Sequence, residues 1–78
     1  MMKFIDWLEN QANIIGLSPQ EIAEKSHMNI NNLKNWKNNN RNPTTGSIII
    51  LVQTISKLRK DVTYRELITE AILIEGQA

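Results

Sequence analysis

Residues 16–21, Gly-Leu-Ser-Pro-Gln-Glu, put a helix stop and a helix start almost side by side. Gly16 takes the left-handed conformation that ends a helix at no steric cost. Ser18 is a good N-cap, Pro19 suits the first helical position, and Glu21 stands where its carboxylate can return a hydrogen bond to the cap. Such punctuation forbids one long helix through the first half of the chain. What remains is a set of short helices burying narrow apolar faces against one another.

The flanking segments fit that scheme. Over residues 3–15, Ile5, Leu8, Ala12 and Ile15 fall on one helical stripe with Phe4 beside it. Trp7 lies off the stripe, where it either covers an edge of the core or meets a second subunit. Past Ser18, Ile22 and Ala23 face inward and a second helix is predicted over 19–26. His27 then marks a turn, and His is among the residues that accept positive φ. Asn29 can cap a third helix over 30–38. Two helices joined by about three residues have the spacing of a helix-turn-helix.

The third helix opens a segment of unusual composition. Of the fifteen residues from Asn29 to Pro43, eight are Asn, three are basic and none is acidic. Leu33 and Trp36, at i, i+3 spacing, would turn inward and leave Asn31, Lys34, Asn35 and Asn38 on the outer face. Asn39 and Asn40 are expected to supply the left-handed conformation that closes this helix, and Asn42-Pro43 an extended exit. Compositional bias toward Asn, Ile and Lys is the competing account of any single asparagine.

Thr44 or Thr45 can cap a fourth element. Residues 48–52 read as a buried strand by propensity alone. Ile48, Leu51, Val52, Ile55 and Leu58 nevertheless continue a helical stripe for three turns, and a lone strand would have no partner. A helix over about 46–59 is therefore predicted, with Lys57, Arg59 and Lys60 at its C-terminal end. Thr63 and Glu66 form a second capping box, opening a fifth helix over 64–75. The expected fold class is all-α: five short helices in one domain spanning 1–78.

A net charge of +1 conceals a strong division along the chain. Residues 1–24 sum to −3, residues 25–60 carry seven cations and no acid, and residues 61–78 again sum to −3. The basic block coincides with the Asn-rich segment and points to a polyanion-binding surface, the alternative being an ordinary solvated face. The chain has no Cys and one His, His27, and its carboxylates are scattered over separate helices. No nucleophile–base pair, metal cluster or cofactor site is expected, and no enzymatic activity. The longest apolar run, residues 48–52, is far short of the ~20 needed to span a bilayer. No signal peptide is evident in the acidic start, so a cytoplasmic location without membrane association is expected.

Residues 17–44 resemble the Cro/C1-type (XRE-type) helix-turn-helix family. The likeness lies in GLSPQEIAEK, the turn, NINNLKNW and the RNPT that follows, with Ser18, Glu21, Ile22, Ala23, Leu33, Trp36 and Pro43 in register. The sequence departs from the family pattern at Ser26, usually apolar, at His27 and Asn39, usually Gly, and at Lys37, often Glu. Pro19 stands where many relatives offer a side-chain donor.

The resemblance implies a compact five-helix lambda-repressor-like domain whose third helix enters the DNA major groove. It implies a transcriptional regulator, chiefly a repressor of phage, plasmid or mobile-element type. Carried over by position, the base readers are Ile30, Asn31, Asn32, Lys34 and Asn35. Asn can bond adenine bidentately and Ile30 can pack on a thymine methyl, so an A·T-rich site is expected. Phosphate contacts are expected from Ser18 and Gln20 at the second helix N-terminus, and from Asn38, Asn40, Arg41, Thr44 and Thr45 around the exit. A homodimer on a two-fold site is implied, with its recognition helices about 34 Å apart. Tyr64, Leu67, Ile68, Ala71 and Ile72 are the candidate dimer surface, unless they only close the monomer core. The competing function is a protein-interaction module, such as an antitoxin binding its toxin or a partner of a phage or plasmid protein.

Overall fold

Gly16 ends the first helix at φ 87°, and its N–H and that of Leu17 return to the carbonyls of the last turn. Two residues later the capping box closes. The Ser18 N–H donates to Glu21 Oε1 (3.0 Å) and the Glu21 N–H donates to Ser18 Oγ (3.2 Å). The computed structural model describes residues 2–39 and 41–77, with side chains as far as Ile74. Over them the chain forms α1 (Phe4–Ile15), α2 (Pro19–Lys25), α3 (Asn31–Asn38), α4 (Thr45–Leu58) and α5 (Tyr64–Gln77), with no strand among the described residues. Each boundary lies within two residues of the sequence expectation.

The turn between α2 and α3 rests on His27, at φ 57° the one non-glycine residue with positive φ among those described. Beside it Ser26 is buried, and its hydroxyl lies 2.8 Å from the Ile22 carbonyl and 2.7 Å from the Thr54 hydroxyl of α4. A polar residue is thus accommodated at an interior position because α4 offers it a partner. Asn39 departs from expectation. Its φ is −109°, so the left-handed residue expected there is not Asn39, whose side chain and N–H instead bond back to Asn35. Asn40 lies outside the described residues.

The core is drawn from all five helices. Leu8, Ile22, Leu51, Val52, Ile55 and Leu67 are fully enclosed, with Phe4, Ile5, Trp7, Ala12, Ala23, Leu33, Trp36, Ile48 and Ala71 around them. α4 carries its apolar stripe through the centre and packs against both α2 and α5; α1 lies across α2, α3 and α5. The radius of gyration of 11.3 Å matches the ~11.5 Å of a close-packed chain this long. Residues 48–52 are helical, as the stripe required and the strand propensity did not. Trp7 is a core residue, covered by α5, whose Glu70 Oε1 accepts its indole N–H at 3.0 Å. The chain between α4 and α5 is held by Arg59, which forks onto Asp61 (3.1 and 2.7 Å) and donates to Gln11 Oε1 of α1 (2.8 Å). None of these helices is long and apolar enough to cross a membrane.

Candidate nucleic-acid interface

α3 is short, and two residues fix it. Leu33 and Trp36 are buried, and the Trp36 ring meets Phe4 of α1 edge-on at 5.9 Å between centroids. Its start is capped from one residue further out than a simple N-cap. Asn29 Oδ1 accepts the Asn31 N–H (2.9 Å), while the Asn29 carbonyl accepts from Asn32 (3.1 Å), so the first turn is tight. Ile30 therefore sits at the cap with helical dihedrals and 43% of its surface exposed, not inside the helix.

With the inner face committed, the outer face follows from the helical period. Asn31, Lys34 and Asn38 are exposed, and Asn32 and Asn35 are half-buried on the flank toward α4. No acid stands on α3. Asn35 is the most constrained of the candidate base readers. Its Oδ1 accepts from Asn39 Nδ2 (2.9 Å), and its carbonyl accepts the N–H of both Asn39 and Arg41. The Asn35 amide N–H₂ makes no hydrogen bond among the described residues.

α3 forms a ridge between two hollows. The first, of about 150 Å³, lies toward α1 and α2 and is lined by Ile5, Glu9, Pro19, Gln20, Leu33, Lys34, Lys37 and Asn38. The second, of about 190 Å³, lies toward the N-terminus of α4 and is lined by Asn32, Asn35, Trp36, Arg41, Asn42, Thr44 and Ser47. The phosphate candidates thus divide. Gln20 and Asn38 share the first hollow, and Arg41 and Thr44 the second. Thr45 begins α4 and is exposed. The capping box takes the Ser18 N–H and one acceptor site of its hydroxyl and leaves the O–H free to donate. Thr44 is engaged on both counts: it caps α4 by accepting the Ser47 N–H at 3.2 Å, and its hydroxyl lies 3.0 Å from Ser47 Oγ.

Three contributors were missed in the sequence. Asn42 and Ser47 had a local signal, in the exit dipeptide and three residues past a capping Thr. Glu9 had none, because its 3.0 Å ion pair with Lys37 joins residues 28 apart. Of the seven cations between residues 25 and 60, Lys37 and Arg59 form ion pairs within the fold, with Glu9 and Asp61. Lys34 and Arg41 make no ion pair among the described residues.

The candidate dimer surface divides between the two roles open to it. Leu67 and Ala71 are 1% and 0% exposed, closing the monomer core against α1 and α4, so a second subunit cannot reach them. The period explains the split: positions 67 and 71 face inward, while Tyr64, Ile68 and Ile72 fall on the adjoining stripe. Tyr64 (38% exposed), Ile72 (53%) and Leu73 (60%) lie open, and Ile68 is half-buried.

No family model, curated protein or solved structure matches the chain.

Proposed function

We propose that this chain is a sequence-specific DNA-binding regulator of the Cro/C1 helix-turn-helix type, with α2 and α3 as the motif and α3 as the reading helix. One observation carries the reading. An eight-residue helix held by two buried anchors presents amides and a lysine outward, without an acid, between two hollows. Asn31 and Asn32 offer donor–acceptor pairs matched to adenine, the Asn35 N–H₂ suits an acceptor such as a purine N7, and Ile30 suits a thymine methyl. Ser18, Gln20 and Asn38 would contact one strand's backbone, and Arg41, Thr44 and Thr45 the other. The reading assigns no catalysis.

A single domain of this size covers too little DNA for useful specificity, so the active form is a homodimer on a two-fold site. Its contact is formed by the stripe of Tyr64, Ile68 and Ile72, with Leu73 at its far margin. The same exposed apolar flank is what favours the second reading, a module that binds a different protein, such as a toxin.

Selection of bound sequences from random duplex DNA with the purified chain tests the proposal. The expected outcome is an A·T-rich, two-fold-related consensus whose binding falls steeply with salt. A library that emerges without enrichment removes the DNA reading and leaves the interaction module.

A further inference from the structure

The hollow between α1, α2 and α3 contains an acid for which the DNA reading has no use. Glu9 reaches from α1 to Lys37, its Oε2 3.0 Å from Nζ, on the same concave surface as Gln20, Lys34 and Asn38. In the proposed complex a phosphate strand crosses here, from the N-terminus of α2 to the end of α3. A bare carboxylate would repel that strand, and a bare lysine would attract it whatever its sequence. The side chains of Lys37 and Glu9 remain 59% and 40% exposed, so the pair contributes little to the fold and is free to be judged by its effect on a ligand.

We propose that Glu9 is an affinity-limiting residue: it occupies Lys37 and withholds one cation from the DNA backbone. The inference rests on the DNA-binding reading. Every phosphate contact tightens binding to all sequences alike, so a cation withheld lowers non-specific binding while the asparagines of α3 keep their discrimination.

Four chains, titrated on a selected duplex and a random duplex across a salt series, test this. Glu9→Gln is expected to bind both duplexes roughly three- to tenfold more tightly near 0.1 M salt, with the log–log salt slope steeper by about 0.9. Lys37→Gln, which bares Glu9, binds more weakly. The double variant Glu9→Gln/Lys37→Gln returns to within about twofold of the parent, because the local charge is unchanged. Glu66→Gln on α5 makes the same change in net charge away from the hollow and leaves the slope alone. Circular dichroism melts check that each variant is folded. An unchanged slope in Glu9→Gln overturns the proposal. So does a double variant as weak as Lys37→Gln, which would make Lys37 itself a phosphate ligand. A parent that binds neither duplex at low salt sinks the DNA reading together with this inference; a parent that binds while Glu9→Gln is indifferent sinks the inference alone.

Discussion

α3 and α5 are anchored alike and finished differently. Each turns two buried residues into the core, Leu33 and Trp36 in one, Leu67 and Ala71 in the other. Outside, α3 exposes amides and Lys34, whereas α5 exposes Tyr64, Ile72 and Leu73. Amides and ammonium groups are well hydrated and leave water only for a partner offering equally polar edges or phosphates. Apolar side chains gain from any surface that removes water from them. Anchoring therefore fixes where a helix sits, and the residues left outside determine what class of partner it can take.

The largest effects come from the anchors, where the two helices should behave alike. Trp36→Ala is expected to cost about 3–5 kcal/mol and Leu67→Ala about 2–5 kcal/mol. For a chain this short those are large shares of the roughly 4–12 kcal/mol holding it folded. Urea denaturation followed by circular dichroism measures both. A Trp36→Ala loss below about 1 kcal/mol would break the premise that α3 hangs on two residues.

Outward substitutions should separate the helices. Ile72→Glu is expected to leave the melting temperature nearly unchanged while driving a dimer to monomer, read by sedimentation at a series of concentrations. Asn31→Ala should leave association untouched and relax base preference at one position by about 1–3 kcal/mol. If Ile72→Glu instead weakened a monomeric protein's DNA binding, or Asn31→Ala altered its mass, the division of labour between α5 and α3 would be wrong.

A smaller effect probes how α5 is held. The Trp7 indole N–H is enclosed and its acceptor is Glu70. Glu70→Ala should cost about 1 kcal/mol by stranding that donor, whereas Glu70→Gln, which keeps an oxygen in place, should cost less than half as much. Equal losses would mean that the charge matters and the acceptor does not.

What is legible in the sequence is local. Gly16, the Ser18–Glu21 box, the positive φ of His27 and the Thr44 cap are decided within four residues, and each stands where expected. Asn39 differs from expectation: its φ is −109°, and its side chain and N–H both bond back to Asn35 in the last turn of α3. Leu67 and Ala71 were ambiguous for another reason. A dimer seam and a core wall ask for the same apolar spacing, and only the position of α1 and α4 distinguishes them. The ties Glu9–Lys37, Gln11–Arg59 and Trp7–Glu70 join residues 28, 48 and 63 apart, beyond the reach of any periodicity.

The smallest effect concerns the joint before α5, and its sign can be worked out. The hydrogen bonds from the Arg59 guanidinium hold the Asp61 carboxyl below its ordinary range, with a backbone hydrogen bond adding to them. A carboxyl depressed in the folded state stabilises the fold fully above its unfolded pKa of about 3.9, and that contribution fades as pH falls through the depressed value. α3 has no such fork: its anchors are apolar and insensitive to pH. Asp61→Asn should therefore lower the melting temperature slightly at pH 7, and the difference from the parent should shrink below about pH 4. Asp61 is exposed, so the effect is bounded by solvent screening and should diminish further in high salt. Melts at pH 7 and pH 3 would measure it; a difference that persisted undiminished at pH 3 would mean that Asp61 acts through the shape of the joint and not through its charge.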